Sequence, residues 1–293
     1  MTLIELSATE AVGKIRNGEI SAEELVQACL DRIAETEPTV GAWAHLNPEH
    51  ALDQARSADA ARAQDLAVGP LHGLPVGIKD IIDTADFPTE NGTVLQSGRA
   101  PDADATLVSL LREAGAVILG KTVTTELAVY APGKTISPLD AARTPGGSSS
   151  GSAAAVAALM TPLAVGSQTN GSVIRPASFC GVYGYKPSHG RISRHRVLGQ
   201  SHHLDTMGVF ARSLEDLALI AEPLMSFDDR DPDMRTVARP KLVATLAEAP
   251  PVAPRIAFVR TPVWDRADET TMDAFRELIE QLGQQTYIVD LTP

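Results

Sequence analysis

Apolar positions over the first 65 or so residues recur at helical spacing, and two helix starts are written beside them. Ser7 with Glu10, and Ser21 with Glu24, have the reciprocal Ser-x-x-Glu pattern of a capping box, and Gly18 falls where the first helix should stop. After Pro48 an Ala-rich, charged stretch predicts a third, more exposed helix. The pattern then changes. Leu74-Pro-Val-Gly-Ile-Lys-Asp-Ile-Ile82 is a short apolar run of the kind that forms a buried strand. Leu107, Leu110, Leu111 and Ala114 return to helical spacing, Gly115 ends that helix, and Ala116-Val-Ile-Leu119 predicts another strand. A Gly/Ser-rich turn from Thr144 to Gly151 opens an Ala-rich helix that ends near Thr161-Pro162. The strand Leu163-Ala-Val165 and a loop from Ser167 to Ser172 follow. Residues 213–224 predict a helix starting at Ser213 with Asp216. Residues 226–254, rich in Pro, Asp and Ala, read as an irregular connection, and strands at 255–259 and 287–289 flank a helix near 270–281.

Strands alternating with helices predict an α/β fold with a largely parallel or mixed sheet. The expected organisation is a single domain over 1–293, made of an N-terminal helical segment (1–65), a catalytic core (66–225), an irregular linker (226–254) and the start of a C-terminal part (255–293), with no internal repeat. The chain has 293 residues, 44% of them hydrophobic, so it can bury a substantial core. A net charge of -12 argues against nucleic-acid binding through phosphate neutralisation. Cys29 and Cys180 are too few for a disulfide framework, so a reducing compartment is the simpler expectation. Met1 to Glu5 carries no basic region followed by an apolar stretch, and no segment reaches the roughly 18 apolar residues of a membrane span. The expectation is a soluble, cytoplasmic protein with no membrane association.

The chemistry is concentrated in three elements: Gly77-Ile-Lys79-Asp80, Thr144-Pro-Gly-Gly-Ser-Ser-Ser-Gly151, and Gly166-Ser-Gln-Thr-Asn-Gly-Ser-Val-Ile-Arg-Pro176. Together, in this order and spacing, they resemble the amidase signature family, with the resemblance running from about residue 5 to about residue 225. The resemblance implies a mixed central sheet covered by helices on both sides. It also implies a Ser-cisSer-Lys triad, in which Ser172 is the nucleophile, Ser148 follows a cis peptide and relays protons, and Lys79 is the base. The backbone N–H groups of Thr169, Asn170, Gly171 and Ser172 would form the oxyanion hole. Asn170 stands where many relatives have Gly, a departure that Asn can tolerate if φ is positive there. The Gln-Thr-x-Gly-Ser-Val-Ile-Arg-Pro version looks most like the bacterial malonamidase branch, in which the Arg three residues after the nucleophile binds a substrate carboxylate. Arg175 holds that position here.

Physical chemistry makes the same residues plausible and sets the plainer readings beside them. A Ser hydroxyl needs a base, and Lys can serve only if burial or its neighbours lower its pKa. Lys79 ends an apolar run, which suits burial. Taken singly, Lys79 is an ordinary salt-bridged lysine, Ser148 a cap for the Ala-rich helix, Ser172 a loop residue, and Arg175 half of a structural ion pair. Ser149 and Ser150 are expected as caps or supporting donors. Gly147-Ser-Ser-Ser-Gly151 also fits a hydrolase elbow centred on Ser149, but no apolar strand precedes it. The same loop lacks the Gly-Lys-Ser/Thr ending of a phosphate loop. His202-His203, with His189 and His195 nearby, lack partners at ligand spacing, so neither a metal nor any other cofactor is expected.

The expected function is hydrolysis of a small amide, carbamate or urea-type C–N bond, the substrate carrying a carboxylate for Arg175. Two alternatives stand beside it. One is the A subunit of a tRNA-dependent amidotransferase. The other is a truncated or non-catalytic subunit, because family members usually run well beyond this length and the chain stops just after the predicted strand Thr286 to Leu291. Partners are expected to be a small-molecule amide and either further copies of the chain or a different subunit.

Overall fold

The computed structural model describes residues 2–290, so Met1, Leu291 at the end of the predicted strand, and residues 292–293 lie outside it. Two compact units are present, Met1–Leu246 and Ala247–Pro293.

In the first unit both predicted capping boxes form. Ser7 starts α1 (Ala8–Asn17), which stops at Gly18 with φ 71°. Ser21 starts α2 (Ala22–Val40). Between α2 and α3 (Pro48–Ala63) lies β1 (Trp43–Leu46), which helical patterning did not predict. Only four residues long, it owes its strand conformation to antiparallel pairing with a later strand. Next come β2 (Pro75–Lys79), α4 (Thr106–Glu113) and β3 (Val117–Thr122), β2 and β3 being buried at every position. The Ala-rich helix is α5 (Ser150–Ala157), and β4 (Leu163–Gln168) is three residues longer than its apolar core predicts.

Three further elements were not visible in the apolar pattern: α6 (Ile174–Cys180), β5 (Tyr183–Tyr185) and β6 (Thr206–Ala211). Pro176 sits in the first turn of α6, where a missing N–H does no harm. The unit ends with α7 (Leu214–Leu224), begun by Ser213 as predicted, and the short α8 (Leu242–Leu246) inside the stretch expected to be irregular.

The six strands form one mixed sheet in the order β1-β3-β2-β4-β6-β5. β3, β2 and β4 run parallel at its centre, while β1, β6 and β5 pair antiparallel. Helix α5 packs against β2, β3 and β4, and α7 against β5 and β6, giving the helix-flanked mixed sheet expected. Asp216, fully buried in the first turn of α7, accepts from the backbone N–H groups of Ala8 and Thr9 at 2.9 and 2.8 Å. It thereby satisfies donors at the start of α1 that the helix itself leaves unpaired. The second unit is a parallel pair, β7 (Ile256–Arg260) and β8 (Thr286–Asp290), connected by α9 (Glu269–Leu282). The rings of Phe258, Trp264 and Phe275 cluster there at 5.2 to 5.6 Å. No helix among the described residues is long and apolar enough to cross a membrane.

Candidate active site

Because β2 and β4 are parallel neighbours, their C-terminal ends and following loops lie at one edge of the sheet, where ligands of α/β folds gather. Lys79 is the last residue of β2 and is completely buried. Its Nζ donates to Ser148 Oγ at 2.7 Å and to Ser167 Oγ at 2.9 Å. Among the described residues no carboxylate pairs with it. Burial disfavours the charged form and lowers its pKa to about 7, against an opposing pull from the negative charge of Asp205. Ser167, on β4, was not singled out in the sequence. The signal was faint: one polar residue at the end of an apolar strand.

A second fully buried lysine makes a useful contrast. Lys121, on the neighbouring strand β3, donates to Ile82 O at 2.6 Å and Thr89 Oγ1 at 2.5 Å. Asp80 Oδ1 lies 3.8 Å away. Burial lowers this lysine to about 8 while the Asp80 charge resists. Lys121 therefore has a buried counter-ion, and Lys79 has hydroxyls.

The peptide Gly147–Ser148 is cis, as the resemblance implied. Neither Ser148 nor Ser149 caps α5 through its side chain: Ser149 is the N-cap residue, and no side-chain hydrogen bond is made there. The capping reading of these serines is therefore corrected. Ser148 Oγ is taken up by Lys79 instead. Ser149 Oγ donates to Ser167 O at 3.2 Å and accepts from Ser167 N–H at 3.3 Å, tying the start of α5 to β4. Gly166 makes that contact fit, because a Cβ there would lie 2.6 Å from Ser149 Oγ. The elbow reading centred on Ser149 fails on the same observations.

Ser172 follows β4 in a loop and is buried, 6% exposed. Its carbonyl accepts from Ser149 N–H at 3.3 Å, so the two Ser-bearing loops meet. Gln168 Oε1 accepts from the N–H groups of Val173 and Ile174 at 3.0 Å each, fixing the turn into α6. The N–H groups of Asn170, Gly171 and Ser172 find no acceptor among the described residues. The left-handed position in this loop is Gly171, with φ 133°, and Asn170 is not among the non-Gly residues with positive φ. The φ tolerance invoked for Asn170 is therefore not needed. Its side chain reaches Tyr130 Oη at 3.3 Å.

Arg175 makes no ion pair among the described residues. It donates to two backbone carbonyls, Gly147 O at 3.1 Å and Asn170 O at 3.2 Å, and so joins the loops carrying Ser148 and Ser172. These bonds leave further N–H donors of the guanidinium for a ligand. A cavity of about 380 Å³ borders Ser167 and Thr169, with His195, Gln200, Asp205 and Met207 in its wall. Two of the histidines converge on one carboxylate: His202 and His189 both reach Asp233 Oδ2, at 3.0 and 3.3 Å. Among the described residues no group of three or more His, Cys, Asp or Glu side chains is arranged to hold a metal ion. Cys29 is buried, and desolvation pushes its thiol up to about 12, which suits a core residue.

Comparison with known proteins shows the family. The A subunit of the glutamyl-tRNA(Gln) amidotransferase of Thermobifida fusca is 41% identical over 284 residues, covering 95% of this chain and 57% of that protein. The peptide amidase of Stenotrophomonas maltophilia superposes with a TM-score of 0.85 at 33% identity, covering 98% of this chain and 62% of that one. A chain from "an unexpected vestigial protein complex", described as revealing the origins of an s-triazine catabolic enzyme, superposes with a TM-score of 0.89 at 33% identity. That match covers 97% of this chain and 64% of the other. This chain thus spans less than two thirds of the length of each of these relatives. The amidase family model matches residues 24–290, and on that match the chain belongs to the amidase family.

Proposed function

We propose that the protein cleaves a small amide, carbamate or urea-type C–N bond through an acyl-enzyme on Ser172. The observation that carries this reading is Lys79: a buried lysine near pKa 7 whose Nζ touches the hydroxyl of Ser148 at 2.7 Å. A lysine held in that state can accept a proton near neutral pH. In the reading, Ser172 Oγ attacks the carbonyl carbon. Its proton passes to Ser148 Oγ as the Ser148 proton passes to neutral Lys79. The N–H groups of Thr169, Asn170, Gly171 and Ser172 hold the oxyanion. The C–N bond then breaks as Ser148 returns a proton to the departing amine and recovers one from Lys79. Water attacks the resulting ester, loses its proton along the same path, and releases the acid and Ser172. Arg175, beside both loops, is the candidate for a substrate carboxylate, and the malonamidase-like preference belongs to this proposal.

Identity of 41% to an amidotransferase A subunit favours a second reading of the same chemistry, in which the amide is glutamine and ammonia passes to a partner. Cytoplasmic location and association with further copies or a different subunit are part of the proposal in both readings. The test is ammonia or amine release from a panel of monoamides, carbamates, ureas and glutamine, run with wild type and Ser172→Ala. Turnover of small amides by the isolated chain supports the first reading. Glutamine turnover that requires a copurifying subunit supports the second. Equal turnover by Ser172→Ala contradicts both, and a chain inert in every arm is a non-catalytic subunit.

A further inference from the structure

Three hydrogen bonds converge on one carboxylate beside the candidate site. Asp205 Oδ2 accepts from the backbone N–H groups of Gln200 and Ser201, at 2.7 and 2.8 Å. Its other oxygen, Oδ1, lies 2.6 Å from Thr169 Oγ1. Thr169 Oγ1 has one proton for two acceptors, Asp205 Oδ1 and Gln200 Oε1, the latter 2.8 Å away. Gln200 is anchored in turn through Nε2 to Leu127 O at 2.8 Å. Asp205 stands immediately before β6, and β6 pairs with β4, the strand that ends at Gln168. A rigid ladder thus carries Asp205 to the first residue of the loop holding Ser172.

We propose that Asp205 is a positioning residue: it clamps Thr169 and thereby fixes the 169–172 loop. The proposal deepens the acyl-enzyme reading and rests on it for its kinetic part. The clamp follows from geometry. Thr169 opens the loop, and removing its carboxylate acceptor frees the loop at its β4 end, while Gln168 and Arg175 still hold the α6 end. The groups touching Lys79 Nζ are the Ser148 and Ser167 hydroxyls; burial is the main cause of its lowered pKa, and the negative charge of Asp205 opposes that, favouring the ammonium. Asp205 is half-buried in the wall of the 380 Å³ cavity, so its field is not fully screened.

The test pairs Asp205→Asn with wild type in two measurements. The first is NMR titration of the Lys79 side chain, assigned by Lys79→Arg, and it needs no turnover. Asp205→Asn should lower the Lys79 pKa. An unmoved titration in a variant with unchanged circular dichroism overturns the Asp205–Lys79 coupling. The second is steady-state kinetics on whichever amide the wild type turns over. Asp205→Asn should lower kcat on the order of 100-fold with KM little changed, and the acid limb of kcat/KM should move to lower pH. Thr169→Val should lower kcat in the same way and leave that limb in place, because it removes the clamp and keeps the charge. An unchanged kcat in both variants overturns the clamp. A wild type with no amide turnover overturns the acyl-enzyme reading, and the NMR titration still decides the Asp205–Lys79 coupling. If Asp205→Asn fails to fold, Thr169→Val decides the clamp.

Discussion

Lys79 Nζ lies 2.7 Å from Ser148 Oγ at the buried end of β2, while the nearest comparable lysine, Lys121, lies 3.8 Å from a carboxylate. Two lysines on adjacent strands thus have different partners for their charge. Burial lowers the pKa of both, to about 7 and about 8, and only Lys121 has a carboxylate within ion-pair distance among the described residues. Lys79→Met should leave a folded protein and lower kcat/KM by about 10³-fold or more, the loss typical of removing one member of a cooperating set. Thermal unfolding and amide turnover on one preparation check both halves.

The depressed pKa of Lys79 also fixes the sign of two pH effects. A base must be neutral to act, so kcat/KM should fall about tenfold per unit as pH drops below 7. For stability, the unfolded chain binds the Lys79 proton up to its normal pKa near 10.5, while the folded chain gives it up near 7. Between those values the unfolded state holds more protons, so this residue's contribution to stability rises with pH. Lys79→Met removes the burden of burying an ammonium. Its Tm relative to wild type should therefore be higher at pH 6 than at pH 9, which paired scans in two buffers will show.

Ser149 sits against Gly166 with no room for a side chain. Gly166→Ala would bring a Cβ to 2.6 Å from Ser149 Oγ and 2.8 Å from the Phe210 ring. Overpacking of this kind destabilises by about 1–3 kcal/mol. A lowered denaturation midpoint is expected, with activity falling further than stability because the displaced Ser149 adjoins Ser148.

Arg175 has two carbonyls to hold and donors to spare. Arg175→Met should lower kcat for all amides through loosened loops, and raise KM by about tenfold or more specifically for a carboxylate-bearing monoamide, the worth of a hydrogen-bonded charge. The measurement is the ratio of kcat/KM values for a carboxylated amide and its neutral analogue. A ratio unchanged by the substitution assigns Arg175 to loop bracing alone.

Much of the first unit was legible because its signals are local. Ser7, Ser21 and Ser213 each begin a helix with the side-chain bond expected of them, and the apolar runs at 74–82 and 116–119 hold the fully buried parallel strands β2 and β3. What escaped depends on pairing. β1, β5 and β6 are short strands whose conformation is set by partners far along the chain, and β6 carries Gly208 in its middle. The pairing of Lys79 with Ser148 was legible through spacing and resemblance. Ser167 and Asp205 were not, because their importance lies in what a ladder and a turn place beside them. Arg175 was found by position, but its carbonyl partners depend on two loops meeting, which no spacing reveals.

The most direct test of the Ser172 acyl-enzyme is intact-mass and peptide-mapping spectrometry after mixing the protein with an amide whose ester intermediate is slow to hydrolyse. A stoichiometric adduct with the mass of the acyl group is expected on the peptide containing Ser172, absent in Ser172→Ala. Amine release without any adduct, or an adduct on another residue that persists in Ser172→Ala, would contradict the acyl-enzyme.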